Sequence, residues 1–255
     1  MKGIDISHHH PDLDVALIKE NGFDFVILRS NSGMSTRDKC FEAQYKRAAE
    51  VGLPIGVFVD SYAVTEEAAV REAQFALSIL AGRPAQLGIY MDIEDQGGQY
   101  SLSNAKLTAV TRAFCRTIRA GGYIPGLYGG ELGLFHKVDA NAADAIIWVA
   151  RYGHEPNTPC DLWQMTNEGR INGYSHNLDI DVVRSSRFEA LVKGEKEDPS
   201  PAPKQVINPS ILGLQSILLD NCYPVGKLGV YDEQTSVKLH EFVDDLDQIW
   251  LRTKE

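Results

Sequence analysis

Strand-like and helix-like stretches alternate four times in the first 120 residues, and this rhythm limits the chain to very few folds. Lys2–Ser7 reads as a short strand, with Asp12 placed to cap a helix over about 13–20 before Asn21-Gly22 stops it. The unit then recurs: a strand over 23–29 and a helix over about 38–51 closed by Gly52, then a strand over 55–60 and a helix from Thr65 to about Leu80. The fourth unit is the apolar run Leu87-Gly88-Ile89-Tyr90-Met91 leading into Asp92-Ile93-Glu94, followed by a helix that Ser103 caps and Gly121-Gly122 closes. Such alternation predicts parallel strands joined by right-handed crossovers, in an open sheet or a closed barrel.

Past residue 122 the spacing tightens. Strands are expected over 124–128, 145–151, 162–165 and 178–183, and the last three leave little room for helical crossovers. The strand count still reaches eight. The expected fold is therefore an α/β, irregular (β/α) barrel of eight strands with fewer than eight helices. A chain of 255 residues, 44% of them hydrophobic, can bury the core this needs. Lys193 to Lys204 is charged and proline-rich, which reads as a stiff linker. Beyond it, apolar residues from Ile211 to Trp250 recur at helical spacing. The predicted organisation is a barrel over 1–192, a linker over 193–204 and a small helical module over 205–255.

Bulk composition removes several classes of function. A net charge of −10 lacks the basic footprint of a nucleic-acid binder. No apolar run approaches the roughly 20 residues that span a bilayer, so no membrane segment is expected. Met1-Lys2-Gly3-Ile4-Asp5 places an acid where a signal peptide would be apolar, which predicts a product made in the cytoplasm without a signal peptide. Cys40, Cys115, Cys160 and Cys222 show no paired spacing and read as reduced thiols, with Cys40 and Cys115 inside helices. Adjacent His8-His9-His10 has no spaced partner for a shared ion, and no phosphate loop or nucleophile elbow is present. Neither a metal nor a cofactor is expected.

In a barrel, chemistry gathers at the C-terminal ends of the strands. There the sequence places Asp5, Arg29, Asp60 with Tyr62, Asp92 with Glu94, Tyr128, Trp148 with Arg151, Trp163 with Gln164, and Asp179 with Asp181. Strand alternation puts Asp92 and Glu94 on one face, and closure makes the first and eighth strands neighbours, bringing Asp179 to Asp5. Crowded carboxyls near apolar walls hold protons at higher pH, so one can protonate a glycosidic oxygen while another stabilises the cationic transition state. Two residues of separation fall between the carboxylate spacings of retaining and inverting glycosidases and leave the stereochemistry open. Tyr62, Tyr128, Trp148 and Trp163 offer flat faces for sugar rings, with Arg29, Asp60 and Gln164 as polar partners. The competing structural reading has the acids capping helices or pairing with Arg29 and Arg151.

The ordered set Gly3-Ile4-Asp5-Ile6-Ser7, Ser61-Tyr62-Ala63, Asp92-Ile93-Glu94, Leu127-Tyr128-Gly129, Ile147 to Tyr152, Leu162-Trp163-Gln164 and Leu178 to Asp181 resembles the glycoside hydrolase family 25 muramidases, the Chalaropsis-type lysozymes common in phage endolysins. The resemblance covers about residues 1 to 190. It implies an irregular barrel and retaining hydrolysis of the β-1,4 bond between N-acetylmuramic acid and N-acetylglucosamine in bacterial peptidoglycan. It also implies Glu94 as general acid, with Asp5, Asp92 and Asp179 as the other active-site carboxylates. His8 to His10 and Phe58-Val59-Asp60 depart from the pattern. Leu214 to Phe242 resembles a small peptidoglycan-binding module, with Cys222 and Lys227-Leu228 as departures. A dimerisation tail, giving a homo-oligomer, is the alternative. Other expected readings are a bacterial autolysin, a non-catalytic wall-binding barrel and a chitinase-like hydrolase. An endolysin would reach the wall once the membrane is permeabilised.

Overall fold

The computed structural model describes residues 1–138 and 144–195; the rest of the linker and the predicted module over 205–255 lie outside the described residues. Among the described residues, nine strands form a single sheet: β1 (Lys2–Ile6), β2 (Phe25–Ser32), β3 (Thr36–Arg37), β4 (Ile55–Asp60), β5 (Ile89–Asp92), β6 (Pro125–Gly130), β7 (Ile146–Ala150), β8 (Leu162–Ile171) and β9 (Tyr174–Val183). The order β1-β9-β8-β7-β6-β5-β4-β2 closes through a β1–β2 pairing, so eight strands make the barrel and the two-residue β3 only flanks β2. Five α-helices accompany them among the described residues: α1 (Ala16–Glu20), α2 (Phe41–Val51), α3 (Glu66–Leu80), α4 (Asn104–Ala120) and α5 (Ser186–Lys193).

The helix caps show where local chemistry decided the boundaries. Thr65 and Ser103 accept from the amides of Ala68 and Lys106 as predicted, and Gly52 closes α2 at φ +68°. Helix α1 starts three residues later than expected, because Asp14 and not Asp12 receives a backbone amide, that of Ala16. Helix α2 starts at Phe41, since the Asp38 carboxylate holds the Cys40 amide outside the helix. Cys40 is thus a cap residue and not a helical one. Helix α5, absent from the sequence reading, ends at Lys193 with a left-handed Gly194 as its cap, so it reaches the first residue of the predicted linker.

Seven barrel strands run parallel, but β9 is antiparallel to both β8 and β1. This corrects the expectation of parallel strands throughout. Ile171 pairs with Tyr174 across Asn172-Gly173, with Gly173 at φ +88°, a two-residue hairpin that needs no crossover. An Asn-Gly between two strand-like runs was a readable signal for it. Both strands are ten residues long, against the shorter ones predicted.

Side-chain alternation divides the core in two. Ile4, Ile6, Val26, Leu28, Val57, Val59, Ile89 and Met91 point outward against the helices, while Phe25, Ile27, Phe58, Tyr90, Tyr128, Trp148 and Leu162 fill the barrel. Glycines make room for the interior aromatics. A Cβ on Gly3 would lie 2.1 Å from its cross-strand partner Phe25, and one on Gly126 would lie 2.1 Å from its partner Tyr90. Phe188, Leu191 and Val192 of α5 join this interior cluster, with the Phe188 ring edge-on to Phe25. One end of the barrel is therefore packed with hydrocarbon, and the other end receives the polar residues.

Candidate active site

The inward-pointing positions at the polar end form one cavity of about 570 Å³, lined among others by Asp5, Arg29, Asp60, Asp92, Glu94, Tyr128, Trp148, Gln164 and Asp179. Nine of the eleven sequence-nominated residues meet there. Tyr62 lines the adjoining cavity instead. Trp163 belongs to neither: next to the inward Leu162 and Gln164, it points out of the barrel, its Nε1 donating to the Arg151 carbonyl at 2.7 Å with Arg184 over its ring. Strand parity thus corrects its nomination as a sugar platform.

Closure places Asp5 directly opposite Asp179, as expected. Because β9 runs against β1, however, Asp179 reaches the rim from mid-strand and not from a C-terminal end, and Asp181 lies one layer deeper, opposite Gly3. Asp181 is fully buried and accepts the Trp148 indole N–H at 2.8 Å. Phe58, Tyr90 and Tyr128 surround that indole, so Trp148 forms a held floor, 1% exposed, and not a free stacking face. Gln164 ties the wall together. Its Nε2 donates to Asp5 at 2.8 Å, and its Oε1 accepts from the hydroxyls of both Tyr128 and Tyr152 at 2.8 Å. Tyr152 and Asp181 both stood within the matched motifs, yet nothing in strand spacing marked them as partners of Gln164 and Trp148.

Asp92 is the last residue of β5 and the cross-strand partner of Asp60 and of Tyr128. The strand stops two residues short of the predicted end, although Ile93 still donates to the Tyr128 carbonyl. Glu94 therefore sits on a bend at the mouth of the cavity, exposed, its amide bonded to the Gln96 side chain at 3.0 Å. Arg29 is fastened on the other side: Nε donates to the buried Asp38 at 2.9 Å, and Nη1 stands 3.8 Å from Asp60.

One guanidinium faces many acids, and their proton affinities rise accordingly. Burial, then the charge of Asp179, holds the Asp5 carboxyl well above its usual range. Burial, then Glu94 and Asp60, does the same for Asp92. Asp181 is raised well above its usual range by burial and by Asp5. Asp179 is raised to about 6 by burial and the Glu94 charge, and Glu94 itself is raised by partial burial and Asp60. Burial and mutual repulsion thus shift these carboxyls toward their protonated forms, the direction needed of an acid that protonates a leaving oxygen. Among the described residues no group of three His, Cys, Asp or Glu is arranged to hold a metal ion.

The family profile described as glycosyl hydrolases family 25 matches residues 4–174, from β1 to the start of β9. The chain belongs to glycosyl hydrolase family 25. An autolytic lysozyme of Clostridium acetobutylicum is 24% identical over 184 residues, which cover 71% of this chain and 55% of that protein. The chain thus matches little more than half the length of this curated relative. Among solved structures, the catalytic domain of endolysin ply40 from Listeria monocytogenes bacteriophage P40 is similar at 26% identity and a TM-score of 0.63, covering 75% of this chain and 97% of that one. The Streptomyces coelicolor lysozyme superposes with a TM-score of 0.65 at 22% identity, over 77% and 98% of the two chains. The irregular barrel with its antiparallel strand is thus the fold of family 25.

Proposed function

We propose that this family 25 chain is an N-acetylmuramidase that hydrolyses the β-1,4 bond between N-acetylmuramic acid and N-acetylglucosamine in bacterial peptidoglycan. The observation that carries the reading is Glu94 at the mouth of a cavity whose walls hold Asp5, Asp92 and Asp179. In this reading Glu94 gives its proton to the glycosidic oxygen as the bond to the anomeric carbon breaks, and the ionised members of the cup offset the positive charge that develops on the ring. The far face of that carbon is met either by a cup carboxylate or by the acetamido oxygen of the substrate. Water then attacks where the leaving group stood and passes its proton to Glu94, so configuration is retained. Gln164 keeps Asp5 aimed through a hydrogen bond that is itself braced by two tyrosines.

An endolysin is the biological role we favour, on the similarity to a phage endolysin domain that is covered almost in full. It would be made in the cytoplasm and act on the wall once the membrane is permeabilised, with residues 205–255 as a wall-binding module. The second reading, a bacterial autolysin of the same chemistry, draws on the clostridial relative. Digestion of purified peptidoglycan with mass analysis of the new reducing ends tests the chemistry. Reducing-end N-acetylmuramic acid supports it, N-acetylglucosamine ends identify a glucosaminidase, and an absence of products overturns hydrolysis in favour of a wall binder. For the role, cytoplasmic expression that lyses cells only when a membrane-permeabilising protein is co-expressed supports the endolysin.

A further inference from the structure

A second cavity of about 640 Å³ adjoins the acid cup and shares its His9, Arg29 and Asp60 wall. Its charge is of the opposite sign. Beyond the shared residues it is lined by His8, Arg37, Lys39 and Tyr62, with Asp38 as a further acid. Asp38 adds no free negative charge, since its fully buried carboxylate is taken up by Arg29 Nε, the His8 amide and the Cys40 amide. Lys39 is exposed and has no ion pair among the described residues. On a chain of net charge −10, a cavity edged by Lys39, Arg37 and two histidines is built against the general trend.

The cavity is also rigidly mounted. Tyr62 stands 46% exposed, yet its backbone amide donates to Glu72, a carboxylate of α3 that is itself 1% exposed and also accepts from Ser61. Gln99 holds the Ser61 carbonyl from the next loop at 2.7 Å. The Tyr62 backbone is thereby fixed at the cavity edge, and its ring offers a flat face to a ligand there. On the opposite side Asp38 fixes both the Arg29 head and the His8 backbone. One Asp60 oxygen, buried and without a partner among the described residues, lies at the junction of the two cavities.

We propose that this second cavity is a subsite for the peptide carried by the glycan: Tyr62 lies along the peptide stem, and Lys39 holds a free carboxylate of that peptide. The proposal rests on the muramidase reading, in which every muramyl ring bears a lactyl group to which a peptide is attached. A chain threading the acid cup therefore carries anionic side branches, and these would be repelled from the cup itself. A cationic cavity continuous with the cup at Arg29 and Asp60 lies where such a branch can be received. Phosphate groups on the sugar offer similar charge. A carboxylate is favoured because the two guanidiniums are already bonded to acids, Arg37 to Glu42 and Arg29 to Asp38, which leaves a lysine point charge and no free bidentate fork.

Binding, and not turnover, tests this. In full-length Glu94→Gln protein, calorimetry measures the affinity for a soluble tetrasaccharide of alternating N-acetylglucosamine and peptide-bearing N-acetylmuramic acid, and for the same compound with its peptide carboxylates amidated. The free-carboxylate form is expected to bind about fivefold more tightly at low salt, as for a partly exposed ion-pair cluster. The gap should narrow as salt is raised. Adding Lys39→Glu, an exposed position that leaves the fold unstrained, should abolish or reverse the preference. Equal affinity for the two forms overturns the proposal, as does a preference that survives Lys39→Glu or one that appears only with 6-phosphorylated glycan. The two readings fail separately: wild-type protein that cuts peptidoglycan while Glu94→Gln shows no charge preference loses only the subsite. Charge-dependent binding without any cleavage by the wild type loses only the muramidase.

Discussion

Two cavities share Arg29, Asp60 and His9 and differ in almost everything else. The cup is assembled from positions on all eight barrel strands with Glu94 on the bend after β5, Asp5 and Asp92 are buried in it, and the proton affinities of Asp5, Asp92, Glu94 and Asp179 are raised. The neighbouring groove is assembled from the ends of β2 and β4, from β3 and from the turns after β1, β3 and β4, and its exposed charged groups, Arg37 and Lys39, are cations. The difference separates two physical tasks. Holding a proton against neutral pH requires desolvation and like charges, which only a barrel interior supplies. Attracting an anionic branch requires a charge that stays hydrated and reachable, which a loop supplies at less cost in stability.

The largest effect that would break this comparison is on turnover. Glu94→Gln is expected to lower peptidoglycan hydrolysis about a hundredfold or more while leaving saccharide binding in place. A dye-release assay beside calorimetry measures both, and near-normal turnover would remove Glu94 from the role of acid. Next comes the energetic cost of the cup. The Asp179 carboxyl ionises near 3.8 in the unfolded chain and at about 6 in the folded one, so between those pH values the folded state holds a proton that the unfolded state has lost. Stability therefore falls as pH rises through that window, and the penalty is complete above about 6. Asp179→Asn should accordingly gain thermal stability over the wild type, little at pH 4 and most at pH 7. A melting-temperature difference that stays flat with pH would show Asp179 to be relaxed in the fold.

A smaller effect probes the shared wall. Asp60 faces the proton donor from the boundary of the two cavities, and its negative charge favours the protonated form of Glu94. Removing that charge in Asp60→Asn lowers the Glu94 proton affinity, so the alkaline limb of kcat/KM should move to lower pH. A limb that stays in place or moves up would separate Asp60 from the cup. The smallest expected change is at Trp163, which faces away from both cavities. Trp163→Phe should keep turnover within about twofold and cost about 1 kcal/mol of stability for its hydrogen bond to the Arg151 carbonyl, measured by denaturant unfolding. A large loss of activity would return Trp163 to the substrate path.

Much of this was legible along the chain, because periodicity is a local property. The alternation of units and the count of eight strands gave the barrel, and position at the C-terminal ends of strands nominated Asp5, Asp60, Asp92 and Tyr128 as residues of one rim. The caps Thr65 and Ser103 and the stop at Gly52 act over four residues or fewer, and the structure has each of them where it was predicted. The direction of β9 was also written locally, in Asn172-Gly173, but was outweighed by the expectation of parallel crossovers.

What the sequence alone determined is therefore most of the elements, the count of strands and the chemistry available at the polar end. Tertiary structure decided which of those side chains share space. Closure alone set Asp179 against Asp5 across 173 intervening positions of chain, and only the antiparallel run of β9 sank Asp181 beneath it to hold Trp148. The raised proton affinities follow from that convergence, since burial and mutual repulsion are properties of neighbours in space. The cationic groove emerged in the same way: Lys39, Tyr62 and His8 lie on separate turns, and no local period relates them. Local forces choose strands and helices, whereas the charge state of a site is decided by whichever residues the closed barrel brings within a few ångströms of one another.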